Sequence, residues 1–157
     1  MEMKVFLRDP RRTVIVMDAE QVRLPALSGM PGGQILPRPP GLQDAVSQFV
    51  HMTWLFTLQP ELLKPGTRIE LPLALPRRIE PWVYEVVATE TVYTEAGAVA
   101  AVHLRPQRTA RPGDYTAEMW VAPSLQNLPV RILVRQDAET YIDLTLLRLP
   151  EQAERGR

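Results

Sequence analysis

The stretch Gly41–Gln59, GLQDAVSQFVHMTWLFTLQ, constrains this chain more than any other. Leu42, Val46, Phe49, Thr53 and Phe56 fall on one stripe at helical spacing, and Ala45, Met52 and Leu55 fill its flank. Val50, Trp54 and Leu58 carry the apolar surface round most of the circumference, leaving Asp44 and His51 as the groups able to carry charge. The pattern predicts a long apolar helix over about 42–58. A helix of that kind is expected to be wrapped rather than to lie with one face in water. Pro60 stops it, because proline disfavours helical geometry in the residue before it.

The rest reads as strands and turns. Met3–Leu7, Arg12–Asp18 and Gln21–Leu24 have the length and composition of short strands, the first two separated by Arg8-Asp9-Pro10-Arg11. Pro25–Gly41 is dense in proline and glycine, which predicts a long loop without helix or paired strand. After Lys64-Pro65-Gly66, Ile69, Leu71, Leu73 and Leu75 alternate with Arg68, Glu70, Pro72 and Ala74. Pro72 assigns that strand to an edge or a bulge. Turns at Pro76-Arg77-Arg78, Glu95-Ala96-Gly97, Gln107–Asp114, Pro123–Pro129 and Asp137-Ala138-Glu139 divide the remainder into a meander. One helix with roughly eight short strands in sequential hairpins is an α+β fold, mainly antiparallel β. The expected architecture is a strongly bent sheet or half-open barrel holding the helix in its concave face. Residues 1–24 would be N-terminal strands, 25–41 the loop, 42–149 helix and meander within the same domain, and 150–157 a frayed tail.

Composition narrows the function classes. Eighteen basic residues balance eighteen acidic ones, so no overall field recruits nucleic acid. With no cysteine, disulfides and thiolate chemistry are excluded. No run approaches the about 18 apolar residues of a membrane-spanning helix, and no signal-peptide core follows Met1-Glu2-Met3-Lys4. His51 and His103 show no metal-ligand spacing, and Ser28, Ser47 and Ser124 lack a nucleophile elbow. No catalytic residue, metal or cofactor is therefore assigned. Were the chain an enzyme, Asp114, Glu118 and His103 would have to meet in a cleft. The turn arginines, Arg77 and Arg78 among them, read as a solvated surface.

The aromatics remain. Phe49 and Trp54 on the helix, with Trp82 and Trp120 on different strands, either fill a core or line an apolar ligand site. Two readings follow: a domain binding an apolar small molecule or lipid beside the helix, or an interaction domain with a filled core that forms a homodimer through its strand edges.

From Gly41 onward the order of features resembles domain-of-unknown-function family 3108, a bacterial family. The resemblance runs through Gln43-Asp44-Ala45-Val46-Ser47-Gln48-Phe49, Trp54-Leu55, Gln59-Pro60-Glu61 and Pro65-Gly66. Glu90-Thr91-Val92, Ala96-Gly97 and Ala101-Val102-His103-Leu104 continue it. The most specific pair is Glu118-Met119-Trp120-Val121-Ala122-Pro123 with Leu128-Pro129-Val130-Arg131-Ile132, before the closing Asp143-Leu144-Thr145-Leu146. The resemblance implies a periplasmic or envelope-associated protein of Gram-negative bacteria, with this chain corresponding to the C-terminal part of a member. It brings no catalytic residues. By analogy of fold it suggests a half-barrel of the kind that carries lipid.

Overall fold

The computed structural model describes residues 14–26, 32–107 and 115–151. The expected strand Met3–Leu7, the turn before Arg12, Asp114 and most of the 150–157 tail lie outside the described residues. Nine strands and one α-helix are described: β1 (Val16–Met17), β2 (Gln21–Leu24), β3 (Gln34–Pro37), α1 (Ser47–Leu58), β4 (Arg68–Leu75), β5 (Arg78–Thr94), β6 (Gly97–Pro106), β7 (Thr116–Ala122), β8 (Leu128–Arg135) and β9 (Tyr141–Thr145). They form two sheets, β1-β2-β3 and β4-β5-β6-β7-β8-β9, with neighbours antiparallel throughout. The large sheet stays open, with β4 and β9 at opposite edges, so no barrel closes.

The helix departs from expectation in length and surroundings. It spans Ser47–Leu58 rather than 42–58. The Gln43 N–H donates to the Pro72 carbonyl (2.9 Å) and its own carbonyl accepts from the Ala74 N–H (2.8 Å), so Gln43 bridges to β4 and cannot join a helix. Asp44 then begins the helical turns: its Oδ1 accepts from the Val46 and Ser47 N–H groups (both 2.7 Å), and Ser47 Oγ accepts from the Asp44 N–H (2.9 Å). This is the reciprocal arrangement of a capping box.

Nor is the helix wrapped. Gln48, Met52 and Phe56 are buried against Leu71, Leu73, Tyr84, Leu104 and Met119, whereas Val46, Val50, Trp54 and Leu58 are exposed. Trp54 stands about 200° round the axis from Met52, on the far side from the sheet. Burying Met52 and Phe56 contributes about 1.5–3 kcal/mol each, and this holds a helix too short to persist alone.

The Pro/Gly-rich segment is not wholly loop as expected, since β3 lies within 25–41 and pairs with β2, Val22 opposite Leu36 and Arg23 opposite Ile35. Gly32 and Gly33 adopt positive φ (95° and 68°), which lets the chain reverse into β3. At Gly33 a Cβ would come within 2.5 Å of the Leu24 carbonyl oxygen. The small sheet packs Val22 and Leu24 against Leu42 and Ala74. Pro72 sits on edge strand β4, opposite Pro81, where neither residue has an N–H to leave unpaired.

A bulge in β5 sets the chemistry of the two sheet faces. Trp82, Tyr84 and Val86 face α1. Between Val86 and Ala88 the register against β6 slips, so that Val86 opposes Leu104 but Ala88 opposes His103. One extra residue moves every later side chain to the other face. Val92 thus joins Val99, Ala101, Trp120 and Leu133 in a second core, away from the helix.

Candidate functional site

Two sites emerge, one on each face of the large sheet. The first is an apolar cavity of about 270 Å³ between the N-terminal part of α1, the β4–β5 turn and the adjoining parts of β7 and β8. Phe49, Leu73, Leu75, Trp82, Ala117 and Val134 give it apolar walls, and Gln48, Arg77, Arg78 and Tyr115 supply polar groups. Its shape follows from local sequence. Pro76 and Arg77 make a two-residue reversal between Leu75 and Arg78, which are paired. Small residues, Ala45 and Ala117, stand where larger ones would fill the space.

The walls are fixed by hydrogen bonds. Glu80 receives both Arg78 Nε (2.9 Å) and an Arg78 terminal nitrogen (3.0 Å), and also accepts from Trp82 Nε1 (3.2 Å), which orients the indole. Beneath them the Tyr84 hydroxyl donates to Gln48 Oε1 (2.8 Å), while Gln48 Nε2 donates to the Ala45 carbonyl (2.9 Å). Burial pushes the Tyr84 phenol well above its ordinary value, so it remains a neutral donor. Arg77 is exposed and has no ion pair among the described residues.

The second site centres on His103, on the face away from α1. Its Nδ1 lies 3.1 Å from Glu90 Oε1 and its Nε2 lies 2.7 Å from Glu118 Oε2. Its ring stacks on Trp120 at 4.2 Å and 10°. Arg131, from the strand on the other side of Trp120, lies over the same indole at 4.6 Å. Trp120 Nε1 donates to Glu90 Oε2 (2.9 Å), the largest cause holding the Glu90 carboxyl below its usual range. Arg131 in turn grips Asp143 in a bidentate pair at 2.9 and 2.6 Å, which lowers Asp143 and raises Arg131. Each ring nitrogen of His103 thus faces a carboxylate oxygen from a neighbouring strand. The cluster joins β5, β6, β7, β8 and β9 across one face.

A family model described as "Protein of unknown function (DUF3108)" matches residues 10–145. The chain belongs to the DUF3108 family. None of the curated proteins and none of the solved structures matches it. The DUF3108 match covers both sites and fixes no reaction for either. Among the described residues no helix is long and apolar enough to cross a membrane.

The four aromatics singled out in the sequence do not converge. Phe49 and Trp82 line the cavity, Trp54 is exposed on α1, and Trp120 belongs to the opposite face, in a groove with Glu90, Tyr93 and Arg131. His103 and Glu118 do meet, with Asp114 outside the described residues. Sequence reasoning missed Glu90, which the bulge at Val86/Ala88 brings to His103. It also missed Gln48, and it read Arg77 as solvated surface. For Arg77 the available signal was its place directly after Pro76 in a tight turn beside an apolar strand.

Proposed function

We propose that this DUF3108 domain is a non-enzymatic binding module that takes a small apolar molecule or a lipid chain beside α1. The observation that carries the reading is the cavity of about 270 Å³ walled by Phe49, Trp82 and Val134, with polar groups confined to a few positions. Small-molecule sites have that character: concave, mostly apolar, with few orienting polar groups. Periplasmic or envelope placement in a Gram-negative bacterium, which the family resemblance implies, belongs to the same reading. The test is native mass spectrometry with organic extraction of protein purified from a bacterial host, compared with Ala117→Phe, which directs a ring into the cavity. An apolar molecule carried by the native chain and absent from a folded Ala117→Phe variant is expected. Equal content in the two proteins would contradict the reading.

A second reading, self-association through a strand edge, has one observation in its favour. Edge strand β9 is exposed at all five residues, Tyr141, Ile142 and Leu144 among them. Antiparallel pairing of two copies about Asp143 would set Ile142 opposite Leu144, and each Asp143 is already neutralised by its own Arg131. Sedimentation velocity over a hundredfold concentration range tests it. A dimer abolished by Ile142→Lys is expected on this reading, and a monomer throughout would exclude it.

A further inference from the structure

Resting on the binding reading above, we propose that the cavity takes a single-chain amphiphile with an anionic head group, its head at Arg77 and its chain between α1 and the sheet. Among the cavity's polar side chains, Gln48 has its amide oxygen engaged by Tyr84 and its amide nitrogen by Ala45. Arg78 is held in a bidentate pair by Glu80. Among the described residues, Arg77 is the lining cation with no ion pair, and no carboxylate lines the cavity. Among the described lining residues a cationic head would meet two guanidinium groups, and the carboxylate beside them, Glu80, is already engaged by Arg78. An anionic head would meet a planar fork suited to two parallel hydrogen bonds.

Size sets the rest. At about 30 Å³ for each water-sized group, a cavity of about 270 Å³ holds roughly nine such groups, the volume of one medium-length alkyl chain and too little for a two-chain lipid. Phe49, Leu73, Trp82, Ala117 and Val134 offer that chain aromatic and aliphatic contacts, and Trp82 is held in place by Glu80. Arg77 stands in the turn between paired Leu75 and Arg78, so its base is fixed although its side chain is free in water.

The experiment is calorimetric titration of the full chain with decanoate and 1-decanol, both below their aggregation limits, repeated on Arg77→Gln. Decanoate is expected to bind about tenfold more tightly than decanol to the native chain. Arg77→Gln should erase that preference and leave decanol affinity unchanged. Decanol binding with no preference for decanoate would overturn the anionic assignment while the binding reading stands. A preference that survives Arg77→Gln would overturn the role of Arg77. Binding of neither probe would overturn both the assignment and the reading beneath it.

Discussion

The Tyr84 hydroxyl donates a 2.8 Å hydrogen bond to Gln48 Oε1 across the interface between α1 and the sheet, and both residues are buried. This contact fixes the rotation of the helix at the floor of the cavity. Tyr84→Phe leaves the Gln48 oxygen buried without its donor and should cost about 1–3 kcal/mol in urea unfolding. Adding Gln48→Met, which removes the orphaned amide, should recover part of that loss. A double-mutant cycle with no coupling would show that the bond does not contribute.

Helix α1 depends on its entry turn. Asp44→Ala removes the acceptor for the Val46 and Ser47 N–H groups and should destabilise the chain by about 1 kcal/mol. Burial works to raise the Asp44 carboxyl, but its hydrogen bonds from Ser47 and Val46 together outweigh that and leave it lowered. Thermal melts of Asp44→Ala and Asp44→Asn should rank below the native chain, the alanine variant lowest.

The reversal before β3 needs glycine. Gly33→Ala combines positive φ with a Cβ 2.5 Å from the Leu24 carbonyl, whereas Gly32→Ala has positive φ and open space. Gly33→Ala should therefore cost clearly more than the about 1 kcal/mol of a helix-type glycine change. Hydrogen exchange at Val22 and Leu36 should accelerate more in Gly33→Ala than in Gly32→Ala.

Acid should weaken the face away from the helix. The Glu90 carboxyl is lowered, chiefly by the Trp120 indole N–H and then by His103. A group lowered on folding stabilises above its unfolded value, and that contribution disappears as pH falls through the lower folded value. Urea midpoints of the native chain should therefore drop between about pH 5 and pH 3, and those of Glu90→Gln should drop less. Parallel profiles would remove Glu90 from the account.

How far the sequence discloses this depends on the element. Alternation placed Ile69, Leu71 and Leu73 correctly on a half-buried strand, and Pro72 correctly on an edge. Helical periodicity found α1 but could not show that Gln43 would bond to β4, since that contact joins residues about thirty positions apart. Nor could it show which stripe of a nearly uniform apolar helix would face the sheet; Met52 and Phe56 are buried while Trp54 is not. The meeting of His103 with Glu90 was hidden because one extra residue in β5 reverses the side of everything after it. The cavity was hidden for a related reason: its walls come from α1, β4, β5, β7 and β8, and its mouth from a turn whose arginines read as ordinary surface.

The central claim is that the space beside α1 takes an apolar molecule. Titration of 1-decanol into the native chain and into Ala117→Phe, at several temperatures, tests it most directly. The account predicts saturable binding to the native chain with a negative heat-capacity change, as apolar surface is buried, and none to the folded filled variant. Equal binding by the two proteins, or none by either, would contradict it.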